Sequence, residues 1–302
     1  MNRASSQGRE VETTREAASD SHDSATQLKA SPRVVNLAEH MTDAFEQLEH
    51  PELRAVLVAS VDAERESLEH IKNAFVRFTS ARHELDKRRT FFASWQRTNN
   101  SAMSVEGLSS RMTAEAEASV AELAPERVLS IFRAAGRLNR VTDEDLGVGG
   151  QVHHFELFYR MATQYCDQDD LWQSRKFCLP VASEFKAWLD AARLRDPIMT
   201  GLYSMLVHEG YTHAELEMIA PLFDRMAADS FAIPEREARR SLAWITVHNG
   251  GTEKRHFAHS CTSVAEYCDG KGAKIDLNLA GEMFRSYLRR KGEVMRQLYE
   301  ML

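Results

Sequence analysis

The chain contains 302 residues, and 43% of them are apolar, so it can bury a substantial hydrophobic core. It has only 14 glycines and 7 prolines. No run approaches roughly twenty apolar residues, which argues against collagen-like, low-complexity and membrane-spanning proteins. The 38 Lys and Arg residues are outnumbered by 45 Asp and Glu residues, and the formal net charge is -7. We therefore expect neither nucleic acid nor a membrane as a partner.

The amino terminus and the cysteines bear on the compartment in which the protein works. Residues 1–33 contain no aromatic side chain and few large aliphatic ones, so we expect a disordered leader rather than a signal peptide. The four cysteines include no Cys-x-x-Cys pair, which favours a reducing compartment. We expect a cytoplasmic protein.

From Val34 onward, apolar residues recur at steps of three and four, while alternating β-branched patterns are nearly absent. This pattern predicts an all-α fold. We expect a helical pair over about residues 35–95, forming an N-terminal extension of residues 34–100 that ends in a polar connection over residues 97–100. Six or seven helices then follow from about residue 108 within a main helical domain of residues 101–302.

Two residues are predicted to mark helix starts. Pro125 suits the first turn of a helix, because that position needs no backbone N–H donor. Asp276 suits the N-cap of the last helix, where its carboxylate can accept a backbone hydrogen bond.

Seven of the 12 histidines lie between positions 153 and 259, and acidic residues accompany them in three clusters. Imidazole and carboxylate groups inside a helical bundle are the ligand set of non-haem iron. These clusters are therefore the candidates for chemistry in this chain.

The first cluster covers residues 143–158 and places acidic residues before two adjacent histidines. Its glycines do not indicate a phosphate-binding loop, because no strand precedes them and no Lys-Ser/Thr pair follows. We predict instead a loop between two helices. Such a loop can bring Glu144 or Asp145 from one helix end, and His153 or His154 from the next helix, into one cavity.

The second cluster consists of His208, Glu209 and His213 on one predicted helix. Glu209 lies close to the apolar face of that helix, where an unpaired carboxylate would lose its hydration at a large free-energy cost. Glu209 is therefore protonated, paired or a metal ligand, unless the helix is rotated so that this side chain faces solvent.

The third cluster begins at His248 and continues through Glu253, His256 and His259. Glu253 and His256 lie about 60° apart around an ideal helix, so both can face one metal ion. His248 is about 140° from Glu253, which is too far for convergence on a regular helix. The consecutive glycines that follow Asn249 can accommodate a π-bulge that rotates His248 toward Glu253. His259 is a reserve ligand, an outer partner of the site or an interface residue.

Taken in order, these clusters resemble the haem-oxygenase-like diiron oxidases and oxygenases. The first stretch of that family reads roughly Asp-Glu-x-Gly-x-Gly and then His-x-x-Leu-Phe, which is similar to residues 143–149 and 154–158 here. Either Glu144 or Asp145 matches the family's acidic ligand, depending on how the glycine spacing is counted. The second core helix of the family supplies one Glu, which resembles Glu209.

The third core helix of the family carries His-x3-Asp/Glu-x2-His. Glu253 and His256 match the second half of this motif. Asn249 stands where the motif has its first histidine, and His248 precedes it by one residue. This departure concerns the ligand set of the second metal.

The resemblance implies a haem-oxygenase-like helical bundle that holds two ferrous ions. The implied ligands of the first iron are Glu144, His154 and a share of Glu209, and those of the second are Glu253, His256 and His248. Alternative ligands are Asp145, His153 and His259. The implied activity is oxidation of a small amino-acid, amine or fatty-acid-like substrate with dioxygen as co-substrate, in specialised metabolism. The implied partners are the substrate and an external electron donor, and a homodimer is compatible with the sequence.

Two other functions are compatible with the same residues. The haem-oxygenase-like superfamily also contains thiaminase-like enzymes, which need no metal. The chain could also be a helical protein-interaction or regulatory module in which the metal ligands are incomplete, a reading that Asn249 favours.

Overall fold

A computed structural model describes residues 36–302 except residues 100, 149 and 151, and the predicted leader of residues 1–33 lies outside this part of the chain. The described residues form helices and no strands. The α-helices are α1 (Leu37–Phe45), α2 (Pro51–Ala63), α3 (Arg65–Thr79), α4 (Leu85–Asn99), α5 (Ala102–Ala118), α6 (Pro125–Asp145), α7 (His154–Tyr165), α8 (Pro180–Leu194), α9 (Ile198–Arg225), α10 (Glu235–Ser241), α11 (Ala243–Val247), α12 (Glu253–Lys271) and α13 (Leu277–Met301). The predicted all-α class is confirmed.

The helix count differs from the prediction in both parts of the chain. Four helices, α1 to α4, replace the predicted helical pair, because the chain turns before Pro51, at Glu64 and after Thr79. The predicted polar connection is also wrong in part, since α4 continues through Asn99. Nine α-helices rather than six or seven follow among the described residues, because α10 and α11 are short separate helices. The domain boundary at residue 100 stays a prediction.

Local signals place two helix starts correctly. Pro125 is the first residue of α6, as predicted. Asp276 caps α13, and its Oδ1 accepts a hydrogen bond from the backbone N–H of Leu279 at 3.0 Å. Both residues therefore satisfy the backbone requirements of a helix start before any tertiary contact forms.

Helix α9 is the central element of the bundle. It is 28 residues long, and from Gly201 to Leu216 every one of its side chains is buried. A helix that is buried on all sides must be covered by neighbours all round. Helices α1, α8, α12 and α13 pack against it. Any polar group of α9 between Gly201 and Leu216 therefore faces the protein interior.

Helices α5, α6 and α12 pack closely through small residues. Ser109 of α5 donates its hydroxyl to the carbonyl of Ala135 at 3.0 Å, and Ser263 of α12 donates to the carbonyl of Ala134 at 2.8 Å. A Cβ atom at Gly270 would lie 2.8 Å from the carbonyl oxygen of Arg127. These contacts hold α12 against α6 and fix where their acidic residues point.

A buried ion pair joins α9 to α13. Nζ of Lys291 lies 3.4 Å from Oε2 of Glu215, and both side chains are completely buried. Trp95 donates its indole N–H to Oε1 of Glu215 at 2.8 Å, and Lys291 donates to the Thr98 hydroxyl at 2.6 Å. Hydrogen bonds between α4 and both charged groups thus offset the free-energy cost of burying the two charges.

None of the helices in the described part of the chain combines the length and the apolar composition needed to cross a bilayer. The four cysteines form no disulfide bond.

Candidate metal centre

Four helical regions supply acidic and histidine side chains to one buried place in the bundle. The last residue of α6 is Asp145, and the first residue of α7 is His154. Glu209 lies in the middle of α9. The remaining residues come from the turn before α12 and from its first helical turn. They form two groups, within each of which one nitrogen or oxygen atom per residue lies within 4.8 Å of the others: Asp145, His154 and His248, and Glu209, Glu253 and His256.

Hydrogen bonds fix the orientation of both imidazoles in the first group. Nδ1 of His154 lies 2.9 Å from Oδ1 of Asp145. The ring centres of His154 and His248 are 4.2 Å apart. Nδ1 of His248 donates to the backbone carbonyl of Trp244 at 2.6 Å. This bond leaves Nε2 of His248 with a free lone pair, as a metal ligand requires.

The second group surrounds the His256 imidazole with carboxylates. Nδ1 of His256 lies 3.6 Å from Oε2 of Glu209 and 3.8 Å from Oε1 of Glu253. The same Oε1 of Glu253 lies 3.7 Å from Nε2 of His248. Glu253 is therefore the residue at which the two groups meet.

A π-helical turn over His248–Thr252 brings His248 to this place. It lies at the two consecutive glycines, and it confirms the predicted π-bulge. Without this turn, the five-residue spacing would direct His248 and Glu253 to different helix faces. The 3.7 Å contact between these two side chains follows from the widened turn.

One buried polar atom of the site has no hydrogen-bond partner among the described residues. It is Oε2 of Glu253, which belongs to a side chain that is 3% exposed. Unpartnered polar atoms are costly in a protein interior, and a cation or a hydrogen-bonding ligand would remove the cost. A set of carboxylates and imidazoles with such atoms fits iron.

The ionisation of the second group reflects this crowding. Burial and the nearby carboxylates raise the pKa of Glu253 well above its ordinary value. Burial alone would lower the pKa of His256, but the carboxylates of Glu144, Glu209 and Glu253 raise it well above its ordinary value. Without a metal, protons therefore take over the neutralising role of a cation.

In the first group two pKa values are lowered rather than raised. Burial would raise the pKa of Asp145, but the hydrogen bond with His154 and the charge of His256 lower it. Burial and the proximity of His154 lower the pKa of His248 to about 4. His248 is thus neutral at pH 7 and ready to bind a metal ion.

Glu144 lies outside both groups. Its Oε2 is 3.3 Å from Nε2 of His256 and accepts a hydrogen bond from Arg255 at 3.0 Å. These interactions with His256 and Arg255 lower the pKa of Glu144 to about 2. Of the two acids that the sequence offered, the structure places Asp145 among the grouped residues and Glu144 behind the His256 ring.

The other candidate histidines occupy different surroundings. His153 is exposed and caps α7, where its Nδ1 accepts the N–H of Phe155 at 3.0 Å. His259 lies one turn beyond His256, is partly exposed and belongs to neither group. His208 is buried beside the cavity, and its Nδ1 lies 2.9 Å from the Tyr287 hydroxyl.

A cavity adjoins the two groups and contains about 80 Å³ of space for the centres of water-sized molecules. Phe158 and Trp244 form an apolar wall, and their ring centres are 5.0 Å apart. Polar residues, including Asn99, Ser101 and Thr212, line other parts of it. The Thr212 hydroxyl has no hydrogen-bond partner among the described residues. The cavity can hold a small ligand with both apolar and polar parts.

The fold resembles that of a solved protein. The crystal structure of a TenA homolog from Pseudomonas syringae pv. tomato superposes with a TM-score of 0.58, covering 82% of this chain and 91% of that chain at 14% sequence identity. The fold that the two chains share is a haem-oxygenase-like helical bundle. No protein-family model matches the chain, and no curated protein matches it. At this level of identity the similarity establishes the fold, and the chemistry must be argued from the side chains of the cavity.

Two residues near the site were not among the sequence-based candidates. Asn99 lines the cavity, and its amide donates to Oε1 of Glu215 at 3.2 Å. Arg193 is completely buried in α8, although its sequence context at a helix end is typical of an exposed arginine. Neither residue lies in a motif that could have drawn attention to it.

Proposed function

We propose that this protein is a non-haem diiron enzyme that oxidises a small organic substrate with dioxygen. The observation that carries the proposal is the pair of three-residue groups joined through Glu253, at 3.7 Å from His248 and 3.8 Å from His256. Paired sites of carboxylates and imidazoles inside a helical bundle are typical of diiron proteins. The order of the acids and histidines along the chain supports the same reading.

The grouping revises the ligand sets that the resemblance implied. Asp145, His154 and His248 would hold one iron ion. The second ion would be held by Glu209, Glu253 and His256. Glu253 would join the two ligand sets, because it contacts a histidine of each group.

Two bound ferrous ions would supply the chemistry by which dioxygen is reduced and the substrate is oxidised. An external donor would provide the additional electrons. The residues of the chain have other tasks. The Trp244 carbonyl orients the His248 ring, and the Glu144 carboxylate orients the His256 ring. The aromatic wall of Phe158 and Trp244 limits the access of water to the cavity.

The experiment is anaerobic reconstitution of the purified protein with ferrous iron, followed by metal analysis and absorption spectra on exposure to oxygen. We expect about two iron ions per chain and a visible absorption band after oxygen is added. Glu156→Gln is the matched control, because Glu156 is an exposed carboxylate two residues after His154 and pairs with Arg160. Iron binding no greater than that of an unrelated helical protein would refute the proposal.

A second candidate is a metal-free enzyme of the thiaminase-like kind. The observation that favours it is the fold similarity to a TenA homolog, which covers most of both chains. In that case the raised pKa of Glu253 would make this residue a proton donor in the cavity. Binding of a small ligand by protein that takes up no iron would favour this candidate over the diiron enzyme.

A further inference from the structure

A second cavity lies beside the cavity of the candidate metal centre. It contains about 460 Å³ of space for the centres of water-sized molecules, and its walls come from α4, α7, α8 and the segment that precedes α8. Gln96 and Phe155 line both cavities. The two cavities therefore adjoin at these side chains. We call the one at the candidate metal centre the inner cavity and the other the outer cavity.

Two arginines line the outer cavity, and both are exposed. Arg97 lies near the end of α4, and Arg175 begins the 3-10 turn Arg175–Phe177. No acidic residue of the described chain lines this cavity. The acids of the surrounding elements pair with other side chains, or line another cavity in the case of Glu184: Asp86, Glu156, Asp167, Asp169, Asp170, Glu184 and Asp190.

Other surface cavities of the described chain that arginines line also contain acids. One is lined by three arginines and four glutamates: Arg289, Arg290, Arg296, Glu64, Glu66, Glu184 and Glu293. Another is lined by two arginines and one glutamate: Arg160, Arg240 and Glu237. In a chain of net charge -7, the outer cavity is thus a local region of positive charge. A guanidinium is suited to binding a carboxylate or a phosphate, because its planar fork donates two parallel hydrogen bonds.

The wall that carries Arg175 is fixed against α4. The backbone N–H of Leu179 donates to the Ser94 hydroxyl at 3.0 Å. The guanidinium of Arg89 lies 5.3 Å from the centre of the Phe177 ring. Trp172 is buried, and its indole N–H donates to the Thr163 hydroxyl at 3.1 Å. The outer cavity is therefore formed before a ligand binds, which lowers the entropic cost of binding.

The charges of the two cavities favour one orientation of a ligand that occupies both. Asp145, Glu209 and Glu253 line the inner cavity, and no Lys or Arg of the described chain does so. An anionic group is thus attracted to the outer cavity. Phe158 and Trp244 offer an apolar surface to the uncharged part of the same molecule in the inner cavity.

We propose that Arg97 and Arg175 bind an anionic group of the substrate, a carboxylate or a phosphate, while its uncharged part extends past Gln96 and Phe155 into the inner cavity. The oxidation of that uncharged part rests on the proposed function, whereas binding does not. The substrate class is a small organic acid whose anionic group is remote from the reacting atom. An amine without an acidic group does not belong to it.

The test is thermal unfolding of the full-length protein, metal-free and loaded with ferrous iron, with six-carbon probes at constant ionic strength. At about ten times its Kd, hexanoate or monohexyl phosphate should raise the Tm by about 2–4 °C. The probe that binds more tightly identifies the anionic group. 1-Hexanol and hexylamine at the same concentrations should have less than about half this effect, because they lack the charge that the arginines bind.

The decisive variant combines Arg97→Met and Arg175→Met. It should bind both anions at least about tenfold more weakly, because it removes charge-assisted hydrogen bonds. The matched control is Arg240→Met, which removes an exposed arginine from the cavity that contains Glu237 and should bind the anions as the wild type does. Equal stabilisation by 1-hexanol and both anions would overturn the inference, as would unchanged anion binding in the double variant. If the double variant does not fold, each single variant decides the question in the same way.

Extension of the ligand into the inner cavity is tested with Gln96→Phe, which narrows the junction between the two cavities. This variant should bind hexanoate more weakly than the wild type does. Its binding of acetate or inorganic phosphate should be unchanged, because these ions need only the outer cavity. Unchanged hexanoate binding in Gln96→Phe would overturn the proposed orientation.

Iron content measured on the same samples separates the two proposals. Anion binding that depends on the arginines, without iron uptake, would support the outer cavity as a binding site and refute the diiron function. Iron uptake without anion binding, in metal-free and iron-loaded protein alike, would refute the role of the arginines alone. The double variant should keep the iron stoichiometry of the wild type, because neither arginine belongs to a ligand group.

Discussion

Nε2 of His256 lies 3.3 Å from Oε2 of Glu144, while Nδ1 of the same ring faces Glu209 and Glu253. A histidine that binds a metal through one ring nitrogen commonly donates the other N–H to a carboxylate. This relationship assigns different tasks to two adjacent acids. Under the proposed function, Asp145 would be a metal ligand that also holds the His154 ring, and Glu144 would orient the His256 ring without binding the metal.

The first prediction compares Asp145→Asn with Glu144→Gln. Asp145→Asn should reduce the iron content from two ions to one, because an amide oxygen is a much weaker ligand than a carboxylate. Glu144→Gln should keep both ions and weaken iron binding about 10- to 100-fold, which is the usual effect of losing an orienting partner. Metal analysis and titration with ferrous iron measure both effects. The reverse pattern would make Glu144 the ligand.

The second prediction concerns Glu253→Gln. The amide has the shape of a protonated carboxyl group, which burial already favours at this position. The free energy of unfolding of the metal-free variant should therefore lie within about 1 kcal/mol of that of the metal-free wild type. The stabilisation by iron, about 4 kcal/mol at a thousandfold excess over Kd, should be lost. Urea unfolding with and without iron checks both parts, and iron-dependent stabilisation of Glu253→Gln would contradict the assignment.

The third prediction tests the π-helical turn at His248–Thr252. Deletion of Asn249 places His248 and Glu253 four residues apart, which puts them on one face of a regular helix. This variant should retain both iron ions and its helix content. Insertion of one alanine between Gly250 and Gly251 places His248 and Glu253 six residues apart, or about 240° around a helix. This variant should not bind the iron ion assigned to His248. Circular dichroism and metal analysis distinguish the two variants, and similar iron content in both would refute this role of the turn.

The fourth prediction is a pH dependence of stability due to Asp167. Arg88 and Arg82 contact its carboxylate at 2.6 and 2.7 Å and lower its pKa from 3.8 to about 2. The ionised Asp167 carboxylate therefore contributes fully to the free energy of unfolding above pH 3.8, and this contribution is lost as the pH falls through about 2. Asp167→Asn should cost about 1 kcal/mol at pH 7, a value reduced by the partial exposure of the carboxylate.

Asparagine is the appropriate substitution here, because Asp167 has a φ of 58° and asparagine tolerates this left-handed conformation. The difference between variant and wild type should shrink as the pH falls from 4 toward 2 in urea unfolding experiments. A difference that is independent of pH would assign the effect to packing instead.

The fifth prediction concerns the buried pair of Glu215 and Lys291. Glu215→Gln should cost about 3–5 kcal/mol, because Lys291 would lose the counter-ion that offsets the burial of its ammonium group. Replacing both residues, with Glu215→Leu and Lys291→Met, should recover most of this loss. Chemical denaturation of the three proteins is the measurement. A double variant no more stable than Glu215→Gln would show that the hydrogen bonds to α4 contribute more than the charge pairing.

Much of the site could be predicted from the sequence because helical geometry is regular. The convergence of Glu253 and His256 follows from a spacing of three, and the glycines after Asn249 identified the π-helical turn. The choice between Glu144 and Asp145 could not be predicted. These residues are the last two of α6, where the direction of a side chain depends on the turn that follows.

The helix boundaries before residue 100 and the burial of Arg193 could not be predicted from the sequence, for a different reason. Whether the chain turns at Glu64 or continues as one helix depends on packing against α13, which is distant in sequence. Arg193 is buried because α5 and α9 cover it and supply Ser104 and Ser204. Periodicity within one segment contains no information about such partners.

The two ligand groups are drawn from residues as far apart in the sequence as Asp145 and His256. Coordination of both ions would therefore cross-link α6, α7, α9 and α12, and it would stabilise the fold as disulfide bonds between distant segments do. Under the proposed function, chelation of the iron would therefore lower the free energy of unfolding as well as abolish activity. The metal-free protein would then be cleaved by proteases more readily than the iron-loaded protein, because its unfolded fraction would be larger.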